Sequence, residues 1–461
     1  MSDRTALRAE VSVNYNYIIK STLFAAVMIL SATAAVAGEI STLRQSVEYA
    51  LEHNRMLGAN AQSVEQANAS VSDATGRLLP RVDLSTGVAR TNAPGDYFGI
   101  KLNQKAITAA DFNPVLMNNP GYINNYQTRI GVTMPVFQGG ALWAGRSIAS
   151  HQAEASQYGH HYMRQQVVFQ TVSAYARVRQ AQAQIAAMES AVTAASKRLQ
   201  DTEAMQNRGV LIKSDVMDAR VHLLRMSVKL EEAKNGFSSS KDRLEQVMGL
   251  NGDVHLNTEE DPKLKMPALS LDEAVEKALA SRPDLMAIEN QHKAASAGVH
   301  QSRASFLPHV NLVAAQDWNS PTFGMNNRNT MVGATVTMNL FSGGSDTAKI
   351  RAAQAEEVSL EYRVGDLKQQ IHNEVSHAWR QLAESQMRHE SENEAMQQSI
   401  ESLRIKSLRY EQGLTSTSDL LDAQVQADSM RVAAIQARYD VTVAQAALLL
   451  SIGMLNEEVI Q

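Results

Sequence analysis

The sequence predicts a mostly α-helical chain with a small β part, internally duplicated and drawn out into long helical hairpins. Three observations carry this reading. Apolar positions recur at a fixed offset, the apolar period switches from two to three-and-four inside each copy, and aromatic residues gather beside the period-two stretches.

The duplication comes first. Leu43, Val47, Ala50, Leu51 and Leu57 return as Leu271, Val275, Ala278, Leu279 and Leu285, and Leu79-Pro80-Arg81-Val82-Asp83-Leu84 returns as Leu307-Pro308-His309-Val310-Asn311-Leu312. Thr133 to Gly140 matches Thr337 to Gly344 at a shorter offset, which then carries Gly209, Ser214, Asp215, Asp218 and Ala219 onto Gly413, Ser418, Asp419, Asp422 and Ala423. The helical part therefore has one length in both copies, and the first copy holds extra loop between about 90 and 128. This divides the chain into repeats at 38–262 and 263–461.

The strands follow from alternation. Val82, Leu84, Thr86 and Val88 share one face against Arg81, Asp83, Ser85 and Gly87, and similar alternation predicts strands at about 81–90, 128–137, 309–318 and 329–341. About ten residues is the length of a tilted membrane-spanning strand. Each pair is preceded by a helix-stopping proline, Pro80 or Pro308, and followed by a glycine pair, 139–140 or 343–344.

After the glycines the period is helical, as in Val168, Val172, Tyr175, Val178, Gln182 and Ile185. The run from Ala141 to Asn207 has no proline, and a single helix of that length would reach about 100 Å. Gly209 and Gly413 read as C-capping glycines, with Ser214 or Ser418 capping the returning helix, so that long hairpins span 141–250 and 345–455.

Four strands cannot close a barrel, and open edges cannot face lipid. In a membrane, two, three or four chains must therefore share one barrel; off it, the strands form a soluble sheet with one buried face. Eleven aromatics near the strands, including Tyr97, Phe98, Tyr122, Trp143, Phe306, Trp318 and Phe341, favour the membrane.

Composition narrows the function. The formal net charge of −5 offers no basic footprint for nucleic acid, and with no cysteine there is no disulfide scaffold, thiolate site or lipid-modified N-terminal Cys. Arg4, Arg8 and Lys20, the apolar run Leu23–Leu30 and Ala35-Val36-Ala37 read as a signal peptide over 1–37. Gly140-Ala-Leu-Trp-Ala-Gly145-Arg146-Ser147 is one residue short of a phosphate-binding loop and has Arg where lysine is required. The 12 histidines and 20 methionines are dispersed, so no metal site, cofactor or catalytic constellation is expected.

In order and spacing these features resemble the TolC-like outer membrane efflux protein family over nearly all of the chain after residue 37. The residues that carry the resemblance are the duplicated halves, the Leu-Pro-x-Val-x-Leu lead-in to each strand pair, the Phe-x-Gly-Gly exit, and Tyr410-x-x-Gly413-x-x-x-x-Ser418-Asp419-x-x-Asp422-Ala423. The resemblance implies a homotrimer in which a trimeric α-barrel tunnel continues a 12-stranded outer-membrane β-barrel, four strands per chain. It implies partners too: outer-membrane lipid, a periplasmic adaptor (membrane fusion protein) and an inner-membrane pump.

The implied function is the exit duct of a tripartite efflux or type I secretion system, with no enzymatic activity. Asp419 and Asp422 match the periplasmic gate, where six carboxylates in a trimer would raise one another's pKa. Ser214, Asp215, Tyr410 and Thr415 match an inter-hairpin lock, although the best-known member has Arg where Thr415 stands; Lys213 is a candidate substitute for that charge. Gly209, Val210, Leu211, Gly413 and Leu414 match the tips that meet the adaptor, and Asp111 to Asn125 reads as an extracellular loop. The competing class is a non-pore periplasmic coiled-coil or adaptor protein.

Overall fold

Each half opens on a reciprocal helix cap. The Thr42 hydroxyl accepts the Gln45 N–H at 3.2 Å while the Gln45 side chain accepts from the Thr42 N–H, and Ser270 and Glu273 repeat the arrangement. In the computed structural model, residues 41–250, 258 and 260–460 are described; the expected signal peptide at 1–37 lies outside them.

From these caps run α1 (Leu43–His53) and α2 (Arg55–Gly76) in the first half, and α7 (Leu271–Ser281) and α8 (Pro283–Arg303) in the second. The first half continues with β1 (Arg81–Thr91), a segment carrying α3 (Pro94–Asn103) and α4 (Pro114–Asn118), then β2 (Ile123–Gln138), α5 (Ala141–Asn207) and α6 (Lys213–Met248). The second continues with β3 (His309–Ser320), β4 (Arg328–Thr337), α9 (Ser345–Glu411) and α10 (Thr417–Ile452).

Both long helices have 67 residues and both returning helices 36. At 1.5 Å per residue α5 and α9 reach about 100 Å. Each starts on a glycine at positive φ, Gly140 (86°) and Gly344 (85°), a conformation costly to a residue with a Cβ. This cap turns the chain sharply from strand into helix.

The strands form one antiparallel sheet in the order β1-β2-β3-β4. Two strand bounds differ from the alternation in the sequence. β2 begins at Ile123, because β1 pairs with it from Ile123 to Thr133. β4 ends at Thr337, because its partner there is His309, the first residue of β3, and Met338 to Phe341 have nothing to pair with. The β2–β3 register shifts between Pro135 and Phe137, where proline lacks the N–H the ladder would use.

The core lies around the middle of the helical part, where α1 and α2 meet α5, α6 and α10: Val47, Leu57, Val172, Tyr175, Leu244, Met248 and Leu449 are buried together. The Tyr175 hydroxyl donates to the carbonyls of Ser41 (3.1 Å) and Glu260 (2.9 Å), and burial pushes the phenol up to about 12. A second cluster joins α7, α8, α9 and α10 through Ala278, Leu285, Ile371, Val375, Leu448 and Ile452. Between these clusters and the tips Ala191, Ala195 and Met226 are buried where α5 meets α6, while apolar residues such as Val221, Leu224 and Val228 remain exposed.

Candidate functional site: hairpin tips and sheet edges

The hairpin tips are built the same way twice. Gly209 (φ 78°) donates to the Gln206 carbonyl (2.9 Å) and Val210 to Met205 (3.0 Å); Gly413 (φ 73°) donates to Tyr410 (2.9 Å) and Leu414 to Arg409 (2.8 Å). This pair of bonds closes a helix on a left-handed residue and satisfies its last carbonyls. It also leaves Val210 and Leu414 projecting, 68% and 62% exposed, while Leu211 is half-buried.

The returning helices start two residues earlier than expected. α10 is capped by Ser416, whose hydroxyl accepts the Asp419 N–H (3.1 Å) and donates to its carboxylate (2.6 Å). α6 has Ile212 at the cap, with the Asp215 carboxylate accepting the Ile212 N–H at 3.2 Å. Ser214 and Ser418 are therefore already helical and exposed, and cap nothing. The Ser-x-x-Asp spacing of 416–419 carried that signal.

Of the four expected lock residues, Tyr410 is the one that makes a ring or polar contact between the hairpins among the described residues. It is buried, its hydroxyl lies 3.4 Å from Thr417 Oγ1, and the Arg198 guanidinium of α5 sits 5.6 Å from its ring centroid. Among the described residues no hydrogen bond or ion pair joins Ser214, Asp215 or Thr415 to it. Asp215 spends its carboxylate on its own helix, and Thr417, not Thr415, meets the tyrosine. Nothing local in the sequence marked Arg198.

Asp419 and Asp422 lie one turn apart on α10, both exposed. Within one chain the Asp419 carboxylate is held below the usual carboxylate range, first by the Ser416 hydroxyl and backbone and then by Lys406 and Arg409. That is opposite to the mutual repulsion expected of crowded carboxylates, because in a single chain the near neighbours are hydrogen-bond donors and cations.

Asp422 belongs to a groove of about 810 Å³ between α6 and α10, shared with Asp218, Arg225, Lys229 and Ser418 over Val221, Leu224 and Val425. His222 on its wall is buried, and its Nε2 finds no hydrogen-bond partner among the described residues. Burial pushes this imidazole down, with Asp428 opposing.

At the other end of the hairpins the sheet has two unlike faces. The registers put Val82, Leu84 and Val88 of β1 on one face of the sheet with Tyr126, Ile130 and Val132 of β2, Leu312 and Ala314 of β3, and Val332 and Val336 of β4. The opposite face carries Asp83, Ser85, Gln127, Arg129, Asp317 and Asn329, with Gln127 bonded to Asp317 at 3.3 Å. Val82, Leu84, Val88, Val332 and Val336 are each at least 66% exposed, so the apolar face is not covered by the chain itself. Among the described residues no helix is long and apolar enough to cross a membrane. The phosphate-loop look-alike is a helix start, with Gly140 at the cap, and Arg146 donates to Thr75 (3.2 Å).

The family described as "Outer membrane efflux protein" matches residues 46–250 and 274–454. The chain belongs to that family. This efflux protein is 24% identical over 447 residues to the outer membrane efflux protein BepC of Brucella suis, covering 95% of this chain and 91% of that one. It is 22% identical to the alkaline protease secretion protein AprF of Pseudomonas aeruginosa, over 72% of this chain and 71% of that one. Its fold matches the crystal structure of the Campylobacter jejuni CmeC outer membrane channel with a TM-score of 0.78 at 18% identity, over 90% of this chain and 86% of the other. Outer-membrane residence fits an efflux protein whose sheet leaves an apolar face exposed.

Proposed function

We propose that this efflux protein is a homotrimeric exit duct, passing substrates from an inner-membrane pump, through a periplasmic adaptor, across periplasm and outer membrane. The observation that carries the reading is the pair of free sheet edges. β1 and β4 have 11 and 10 residues and, among the described residues, no partner on their outer sides, and in a four-strand antiparallel sheet they run in opposite directions. The β4 edge of one copy can therefore pair with the β1 edge of the next without breaking the antiparallel pattern, and three copies close twelve strands with no edge left for lipid. The apolar face then meets lipid and the polar face lines a wet lumen.

On this reading the repeats 38–262 and 263–461 each supply two strands and one hairpin to barrel and tunnel. Tips at Gly209–Leu211 and Gly413–Leu414 meet the adaptor, and Asp419 and Asp422 ring the periplasmic mouth as six carboxylates. Efflux and protein secretion both suit such a duct, as the names of BepC and AprF suggest for those relatives. The test is single-channel recording of the purified oligomer in a planar bilayer. A small conductance blocked by a trivalent cation from the periplasmic side, with block lost in Asp419→Asn/Asp422→Asn, is expected; block that survives in the double variant removes the aspartates from the gate.

A further inference from the structure

The segment between β1 and β2 differs from its counterpart between β3 and β4. The second half crosses from Ser320 to Arg328 by a short turn, whereas the first inserts α3, a 3-10 turn at Ala109–Phe112 and α4 between Thr91 and Ile123. That insertion folds back onto the sheet, on its polar face.

Gln104, at the end of α3, is 4% exposed. Its amide donates to the Asn124 carbonyl (2.8 Å) and to Asn125 Oδ1 (3.0 Å), and the Asn125 amide donates on to Asn319 Oδ1 (2.9 Å). The Asn103 carbonyl next to it accepts from Asn329 at 3.1 Å. Asn125, Asn319 and Asn329 are polar-face positions of β2, β3 and β4, so a segment that leaves the sheet at β1 is fastened across the other three strands. Lys101 and Asp111, paired at 2.5 Å, and the edge-on rings of Phe98 and Phe112, 5.7 Å apart, tie the insertion to itself. The bend after Gln104 puts Lys105 at φ 52°, a left-handed conformation unusual for a side chain of this kind and kept where surrounding contacts enforce it.

We propose that residues 92–122 form a strap across the lumen at the outer end of the duct, pinned by Gln104, and that this strap sets the size of cargo that leaves. The proposal rests on the duct reading, which makes the polar face a lumen. Three straps, one per copy, then narrow the mouth at the end opposite the hairpin tips. Buried amide-to-amide bonds suit a fastening that stays shut in salt and is indifferent to pH, since no member of the triad titrates.

The chain has no cysteine, so single thiols report access directly. Ser85 and Thr86 are neighbours on opposite faces of β1, Ser85 on the polar face and nearer the helical end of the strand than Ala89, the partner of Asn125. On cells carrying the full chain, Ser85→Cys is expected to react from outside with a small sulfonated maleimide and far more slowly with a long polyethylene glycol maleimide. Gln104→Ala/Asn329→Ala in the same background raises the rate of the long reagent severalfold and leaves the small one unchanged. A variant in which a short glycine–serine turn replaces 95–120 does the same, which covers misfolding of the point variant. An unchanged ratio in both overturns the strap. If Ser85→Cys resists the small reagent, or Thr86→Cys reacts as fast, the lumen assignment itself fails, and the duct reading and the strap fall together.

Discussion

The hydroxyl of Tyr410 lies 3.4 Å from Thr417 Oγ1, bridging the last turn of α9 to the first turn of α10 across the hairpin tip. On its ring side the same tyrosine faces Arg198 of the other hairpin. One buried side chain thus holds its own tip together and touches the neighbouring coil.

Removing the cation should loosen that second contact. An interaction of this kind contributes roughly 0.5–1 kcal/mol, and three copies would act on one mouth. Arg198→Ala is expected to raise the resting conductance of the oligomer, whereas Lys197→Ala, one residue earlier and exposed, should not. Tyr410→Phe keeps the ring and drops a hydrogen bond with a net contribution of about 0.5–1.5 kcal/mol, so it should open the channel less than Tyr410→Ala. Equal conductance in all four variants would remove this contact from the closed state.

Acid should act on the start of α10. The Asp419 carboxylate is lowered by Ser416 and then by Lys406 and Arg409, so its charged form is favoured when folded. A lowered folded value gives stability that is complete above the ordinary carboxylate range and is lost as pH falls through the folded value. Amide exchange at Leu420 and Leu421 is therefore expected to speed up in acid beyond its intrinsic pH dependence. Asp419→Asn should show the faster exchange already at neutral pH, with the extra acid dependence gone. A wild-type profile that follows the intrinsic curve would show that this carboxylate does not hold the turn.

Arg282 is a different kind of charge. It is 2% exposed, forks onto Asp284 (2.6 and 3.0 Å), pairs with Glu374 and lies over Tyr162. Burial alone would lower its pKa, but the two carboxylates reverse that and push it up. Arg282→Met leaves Asp284 half-enclosed without its partner, a change that costs about 3–5 kcal/mol in comparable buried pairs. Glu374 is half exposed, so Glu374→Gln should cost under about 1 kcal/mol. Denaturant midpoints of the two variants check the order, and similar midpoints would refute it.

The duplication, the alternating strands, the 67-residue helix from Ala141 and the tip glycines were legible because each rests on a local rule: period, cap or left-handed turn. What escaped was set by partners far along the chain. β4 stops where β3 begins, so its end depends on His309 rather than on its own alternation. Arg198 meets Tyr410 only because two hairpins lie side by side, and Gln104 is one polar residue among many until Asn125 and Asn319 are brought beneath it. The cap at Ser416 is itself a local signal, but the repeat makes Ser418, the counterpart of Ser214, the more conspicuous serine.

Two glycines with the same backbone angle separate conformation from space. Gly413 (φ 73°) has nothing within 4 Å of where a Cβ would sit, so Gly413→Ala meets only the left-handed penalty of about 1–2 kcal/mol. Gly249 (φ 72°), which ends α6, would place a Cβ 2.4 Å from the His53 carbonyl oxygen and 3.0 Å from its carbon, both backbone atoms. No side-chain rotation can relieve that contact, so Gly249→Ala must push α6 away from the α1–α2 junction, where the Asn54 amide donates to the Val247 carbonyl at 2.7 Å. Gly249→Ala is therefore expected to lower the unfolding midpoint well beyond Gly413→Ala, and to weaken the core around Met248 and Leu57, whereas Gly413→Ala leaves that core intact and acts only at the tip. Equal midpoints would mean that the chain around His53 yields freely, and that the close approach at Gly249 contributes nothing to the choice of glycine.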